Sequence, residues 1–285
     1  PDGYLSLRTT VPQLAVIHDL NFEHFPADLP RAYSRYYRTF FPRFARKAAR
    51  IVTVSEFSKQ DIIKTYGIPA GEIDVVYNGI GSVFAPLAEG EQGRARKRLT
   101  GGLPYFVCVG SLHPRKNIAR LLEAFDRFAE QESDARLVIV GDAFWWDRRM
   151  KDAWGAMRHS GRVVFTGRLE QKDLHETLAD ARALVFISYF EGFGIPVAEA
   201  MKCGVPVIAA RATSLPEVAG DAAVYCDPFD VADIASAMAR TWADPALRDR
   251  LATTGLERAT NFTWERTAEG LWASLEKILP GKGKG

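Results

Sequence analysis

A chain of 285 residues, 47% hydrophobic and 25% charged, has room for one large or two small domains around a real apolar core. Its net charge of +2 excludes the strongly basic surface of a dedicated nucleic-acid binder. No apolar run reaches membrane-spanning length and no secretory leader is recognisable, so a cytoplasmic protein is expected. Cys108, Cys203 and Cys226 lie far apart in apolar settings and read as buried free thiols rather than a disulfide or a metal site.

The first turn-rich residues lead into a short buried strand, Leu14 to Ile17, which ends in His18 and Asp19. Polar residues at the C-terminal end of a strand are where open α/β sheets place ligand contacts. Taken alone, though, Asp19 reads as a turn cap and His18 as a packing residue. Residues 31–50 are rich in Arg and aromatic residues and contain no acid. Helical spacing puts Tyr33, Tyr37, Phe40 and Phe44 on one side and most of the arginines elsewhere. The segment is a core-packed helix with a solvated basic face or, alternatively, a helix resting on an anionic membrane; Pro42 is expected to bend or break it. A strand at 51–54, a helix from Glu56 capped by Ser55, and a strand at 73–77 ending at Asn78-Gly79 follow. Residues 80–90 lose periodicity and read as an interdomain linker, with the boundary near Pro86.

Beyond it, strands expected at 104–109, 136–140, 162–165, 183–188, 205–209 and 222–225 alternate with helices, the pattern of a parallel doubly wound sheet. Three helices close the chain, at about 231–243, 246–260 and 264–279, and the Gly/Lys tail 280–285 is expected to be disordered.

Three clusters fall at strand ends of this second region. Gly110-Ser111-Leu112-His113-Pro114-Arg115-Lys116-Asn117 joins a glycine exit to two cations beside a helix start. Cations are unfavourable against a helix N-terminus, so an anion such as phosphate is expected with them. Thr166-Gly167-Arg168-Leu169 is, by itself, an ordinary strand-to-helix turn. In the third, Glu191 precedes Gly192-Phe193-Gly194, a helix opens at Ile195-Pro196, and Glu199 lies on its first turns. Glycines ahead of a helix N-terminus suit a phosphate ligand. A nicotinamide fingerprint is excluded because Val197 stands where Gly-x-Gly-x-x-Gly needs its third glycine.

In Glu191-Gly-Phe-Gly-Ile-Pro-Val-Ala-Glu199 with its continuation to Val207, in Gly110 to Asn117, in Val54 to Lys59, in Val76 to Ile80 and in Leu215-Pro216-Glu217-Val218, the chain resembles the retaining glycosyltransferases of family 4. The resemblance runs from about His18 to Trp264. It implies the GT-B architecture, an α/β fold of two facing Rossmann-like domains with parallel sheets. Residues 1–86 would form a truncated acceptor-side domain, residues 87–263 the nucleotide-sugar domain, and residues 264–279 a helix returning toward the first domain.

The resemblance also assigns roles. Arg115 and Lys116, with Gly110 and backbone N–H groups near Phe193, Gly194 and Ile195, would hold the donor diphosphate. Glu199 would hold the ribose, Glu191 the transferred sugar, and Gly167, Arg168 and Leu169 would lie near the base. His18 would sit near the reacting centre across the cleft. Neither metal nor cofactor is expected, since no Asp-x-Asp motif occurs. The implied reaction transfers a sugar from a nucleotide-diphosphate donor, with GDP-mannose the first candidate, to a glycan or lipid-linked acceptor. The alternative is a nucleotide-sugar-binding module that lacks turnover because its first domain is short. Partners would be donor and acceptor, with peripheral contact to an anionic inner-membrane face through 31–50, and no nucleic acid.

Overall fold

A computed structural model describes residues 3–142 and 146–279; the tail expected to be disordered, 280–285, lies outside the described residues. The chain divides into two compact units. Unit 1 comprises residues 3–79, Glu191–Phe193 and 261–279; unit 2 comprises Ile80–Phe190 and Gly194–Thr260.

Unit 1 is built on three parallel strands in the order β1 (Leu14–Val16), β2 (Arg50–Thr53), β3 (Ile73–Val75). A short helix α1 (Asn21–His24) and the long α2 (Arg31–Lys47) come between the first two strands, and α3 (Glu56–Tyr66) between the last two. The start of α3 is where the sequence places it: Ser55 Oγ accepts from the Ser58 amide at 3.0 Å, and Gly67, in the left-handed region, ends the helix.

Helix α2 runs uninterrupted through Pro42, so the expected break is absent. Its buried face carries Ser34, Phe41, Phe44 and Ala45. Phe41 packs edge-on against Phe22, with ring centroids 4.8 Å apart. This packing outweighs a proline penalty of about 3 kcal/mol. Tyr33, expected on the inner side, is instead 59% exposed, because the buried stripe runs through 34, 41, 44 and 45 with Tyr37 half-buried beside it.

Unit 2 is a six-stranded parallel sheet in the order β6-β5-β4-β7-β8-β9. Its strands are β4 (Tyr105–Val109), β5 (Arg136–Val140), β6 (Val163–Gly167), β7 (Ala183–Phe186), β8 (Val207–Ala210) and β9 (Ala223–Cys226). The central strands β4 and β7 are buried at every position, as a sheet covered on both faces requires. Its helices are α4 (Arg94–Thr100), α5 (Ile118–Ala129), α6 (Arg148–Ala156), α7 (Gln171–Ala179), α8 (Ile195–Lys202), α9 (Leu215–Ala219), α10 (Val231–Ala243) and α11 (Pro245–Ala259). Phe106 of β4, Phe128 of α5 and Trp242 of α10 form one aromatic knot, with centroids 5.1 to 5.6 Å apart. Cys108, Cys203 and Cys226 are buried and free.

Three features depart from the sequence expectation. The division falls between Gly79 and Ile80 rather than near Pro86. The 80–90 stretch does not behave as a loose linker, because Ile80 and Phe84 are each 3% exposed and the Lys202 ammonium donates to the carbonyls of Ile80 and Gly81 at 3.1 Å each. Helix α4 was not expected; Asp180 caps it, accepting from the amides of Gly93 and Arg96 at 2.9 and 2.8 Å. The final helix, α12 (Trp264–Glu276), belongs to unit 1. There Thr267 Oγ1 donates to the Tyr77 carbonyl at 2.8 Å, and Lys277 pairs with Asp74 at 2.8 Å.

Candidate functional site

In unit 2, the strands β4, β5 and β6 each give way to glycine at the C-terminal end, at Gly110, Gly141 and Gly167, all at positive φ. The closest approach is at Gly141, where an added Cβ would lie 1.9 Å from the Gly110 carbonyl oxygen. Only glycine lets these two strand ends close on each other. The result is a cavity of about 560 Å³, walled by Gly110, Ser111, Asp142, Arg168, Glu170 and Glu199 among others. That volume lies within the roughly 300–1,000 Å³ of small-ligand sites. Of the expected residues, Gly110, Arg168, Leu169 and Glu199 line this cavity and Gly167 does not. Phe84, Gly141, Asp142, Glu170, Gln171 and Leu174 were missed. Gly141-Asp142 follows the apolar run Leu137 to Val140 in the same way that Gly110 follows β4, and that signal was available in the sequence.

Burial pushes the Glu199 carboxyl up to about 7, so near neutrality it is poised between a donor and a pure acceptor. Gly194 caps α8 at φ 95, and a Cβ there would meet Leu215 at 2.6 Å. Pro196 lies in the first turn, where its missing N–H leaves no bond unmade, and Ile195 is 45% exposed.

Of the two cations, Arg115 is half-buried and Lys116 is buried. They close a 3-10 turn, Pro114–Lys116, in which His113 Nδ1 accepts from the Arg115 amide at 3.3 Å. The Arg115 guanidinium donates to the Phe190 carbonyl at 3.1 Å, and the Tyr189 amide donates to the Arg115 carbonyl at 3.1 Å. Lys116 is only 9% exposed; its ammonium lies 4.6 Å from the centroid of the Phe186 ring, and its stem runs against Gly110. The turn is thereby tied to the loop that follows β7.

Unit 1 presents a different strand edge. Glu191–Phe193 belongs to this unit, and the Gly192 carbonyl accepts from Ser55 Oγ at 2.6 Å. Ser58 Oγ donates to the His18 carbonyl at 2.9 Å and lies 3.4 Å from the Gly192 carbonyl. A Cβ at Gly192 would come within 2.2 Å of the His18 carbonyl oxygen. His18 and Glu191 are therefore carried by two backbone segments in direct contact. His18 is exposed at the strand end rather than packed, Glu191 is 6% exposed, and Asp19 caps the turn by accepting from the Asn21 amide at 2.9 Å. Phe193 is 3% exposed and packs with Tyr77 and Phe262.

Among the described residues no cluster of His, Cys, Asp and Glu could hold a metal ion, and no helix is long and apolar enough to cross a membrane.

The chain matches known proteins. The family model "Glycosyl transferases group 1" matches residues 91–258, and "Glycosyltransferase Family 4" matches residues 2–81. O-antigen chain mannosyltransferase B of Escherichia coli is 32% identical over 268 residues, covering 93% of this chain and 70% of that protein. The serotype-specific mannosyltransferase WbdA of E. coli is 27% identical over 93% of this chain, which spans only 33% of that protein's length. The MMP alpha-(1->4)-mannosyltransferase of Mycolicibacterium hassiacum is 29% identical over 83% of this chain, with 56% of its own length covered. In fold, sucrose-phosphate synthase from Thermosynechococcus elongatus superposes with a TM-score of 0.81 at 24% identity, covering 95% of this chain and 69% of that one. Anabaena HepE, solved with UDP and glucose, gives 0.79 at 21%, covering 93% and 72%. With one family model matching more than half of the chain and another most of unit 1, the chain belongs to the group 1 glycosyltransferases of family 4.

Proposed function

We propose that the chain transfers a hexosyl group with retention, mannose from GDP-mannose, to a glycan or lipid-linked acceptor. The observation that carries this reading is the cavity lined by Gly110 and Gly141 with Glu199 in its wall. Its glycine-lined edge lets a nucleotide approach backbone, and Glu199 offers oxygens to ribose hydroxyls. In the reaction, the sugar C1–O bond to the diphosphate breaks, a C1–O bond to the acceptor hydroxyl forms on the same face, and the acceptor proton passes to the leaving phosphate.

Such chemistry asks the protein to stabilise charge on the leaving group rather than to supply a nucleophile. Arg115 and Lys116 are assigned to the diphosphate, with the backbone N–H groups of Phe193 to Ile195. Arg168 and Leu169, beside Gly167, are assigned to the base. Glu191 binds the transferred sugar's hydroxyls and His18 lies near the reacting carbon. No metal or cofactor is assigned.

Release of nucleoside diphosphate and of transferred sugar tests this. Glu191→Ala, Lys116→Ala and Glu199→Ala should each cut transfer strongly while the proteins stay folded. Undiminished transfer from all three would remove the site. Tight donor binding without any turnover would instead leave a binding module.

The exposed side of α2 favours one further reading, cytoplasmic and peripheral at an anionic membrane. Tyr33 and Tyr36 are 59% and 41% exposed, and Arg31, Arg35, Arg43, Arg46 and Lys47 are exposed with them. Each cation near an anionic surface contributes about 1 kcal/mol. Co-sedimentation with vesicles should rise with phosphatidylserine content; indifference to it would remove the membrane reading.

A further inference from the structure

Among the described residues, β9 is an edge strand of the six-stranded sheet of unit 2. The Arg211 amide donates to the Cys226 carbonyl at 2.8 Å, so Cys226, and with it Val224, directs its backbone groups at β8. Peptide groups alternate in direction along a strand, so the N–H and C=O of Ala223 and Tyr225 point the other way. They face a groove of about 500 Å³ whose sides are α10 and α11. Tyr225 is fixed at this edge: its hydroxyl donates to the Gly220 carbonyl at 2.6 Å, and the Arg211 guanidinium lies 5.1 Å from its ring centroid.

Six exposed charged side chains line the same groove, three of each sign: Asp221, Asp233 and Asp244 against Arg211, Arg240 and Arg250. Among the described residues none of the six takes part in an ion pair. Their order along the strand matters. Beside the C-terminal end of β9 stand Arg211, bonded to Cys226, and Asp233, which accepts from the Asp227 amide at 2.7 Å. Toward the N-terminal end stand Asp221, just before β9, and Arg240, farther along the helix that leads away from the C-terminal end.

We propose that this edge is the interface of a two-fold dimer, in which β9 of a second copy of this chain adds antiparallel and continues the sheet. A two-fold axis sets the N-terminal end of one β9 against the C-terminal end of the other. Asp221 of one copy then faces Arg211 of the other, and Arg240 faces Asp233, each pair occurring twice. Charges on an edge strand ordinarily block pairing. Here the signs are exchanged between the two ends, so an antiparallel second copy meets opposite charge at both. An acidic peptide in the groove would face three aspartates, and a basic one three arginines. None of these residues lines the glycine-edged cavity, so the interface does not depend on the donor and acceptor assignments.

Sedimentation equilibrium across a micromolar concentration series tests this, with GDP-mannose calorimetry on the same wild-type protein. Wild type should dimerise as concentration rises, and added salt should weaken the dimer. Asp221→Arg and Arg211→Asp should each weaken it by about tenfold or more, because the axis turns each swap into two like-charge contacts. Combining the two swaps should restore association to within about threefold of wild type. Arg240→Asp, on the exposed side of α10, should weaken the dimer as the other swaps do, and serves if the Arg211 variant does not fold.

A wild-type protein that stays monomeric throughout the series overturns the proposal. So does a dimer indifferent to the folded single swaps, or a double swap no tighter than either single one. If the swap-and-restore pattern holds while no donor binds, the nucleotide-sugar reading fails and the interface stands.

Discussion

The two units build their strand edges by opposite means. In unit 2 the edge is made of absence: Gly110 and Gly141 remove side chains so that backbone and cavity meet directly, and Gly167 ends the neighbouring strand at positive φ. In unit 1 the edge is made of pins: Ser55 and Ser58, 0% and 1% exposed, hold the Gly192 and His18 carbonyls by their hydroxyls. The difference matches the ligands proposed for each. A diphosphate and a flat base need close approach to main chain, whereas sugar contacts need side chains held at fixed positions.

The sharpest way to break this contrast is to fill the glycine edge. Gly141→Ala places a methyl 1.9 Å from the Gly110 carbonyl oxygen, which backbone cannot evade without separating β4 from β5. We expect a loss of about 4 kcal/mol or more, a fall of many degrees in melting temperature, and no donor binding by calorimetry. Gly167→Ala is the control within the same edge: nothing lies within 4 Å of its added Cβ, so only its φ of +69° is penalised, about 1–2 kcal/mol. Equal damage from the two would mean that close strand approach is not what these glycines provide.

The pins are broken by Ser58→Ala. It removes a hydroxyl from the half-buried His18 carbonyl and should cost about 1 kcal/mol in chemical denaturation. Turnover should fall more than affinity for the nucleoside diphosphate alone, because the change lies in unit 1 with the residues proposed for the transferred sugar and the glycine-edged cavity lies in unit 2. An equal fall in both would merge the two roles.

A pH series separates them more finely. The Glu199 carboxyl is raised by burial to about 7, above its unfolded value. The folded protein therefore holds this proton more tightly than the unfolded chain. The stabilisation is fully present below the unfolded value and is lost as pH rises through about 7. Ribose hydroxyls favour the ionised form, so donor binding should tighten severalfold between pH 6 and 8 with release of a proton. Glu199→Gln should flatten that slope, and an unchanged slope would remove Glu199 from the ribose.

Much of this was legible in the sequence because it is local. Strands such as Tyr105 to Val109 are continuous buried runs closed by glycine, and Ser55 announces α3 through its own helix. What escaped depends on distant partners. Helix α4, Arg-Ala-Arg-Lys-Arg-Leu-Thr, has no apolar periodicity; its cap is Asp180, 84 residues from Arg96. The hydroxyl of Ser55 meets a carbonyl 137 residues away, which no local pattern encodes. Glu191 and Glu199 form one motif in the sequence yet fall in different units, Glu191 with unit 1 and Glu199 with unit 2. The burial of Lys116 is equally hidden, since its neighbour Phe186 lies on another strand.

The central claim is that the glycine-edged cavity of unit 2 binds a nucleoside diphosphate sugar with Glu199 in contact. Calorimetric titration of GDP-mannose into wild type and Glu199→Ala at pH 8 tests it most directly. We predict saturable binding by wild type and a loss of about tenfold to a hundredfold in the variant, the effect of removing a charged hydrogen-bond acceptor. Equal affinity of the two proteins, or no binding by wild type of GDP-, UDP- or ADP-linked sugars, would contradict it.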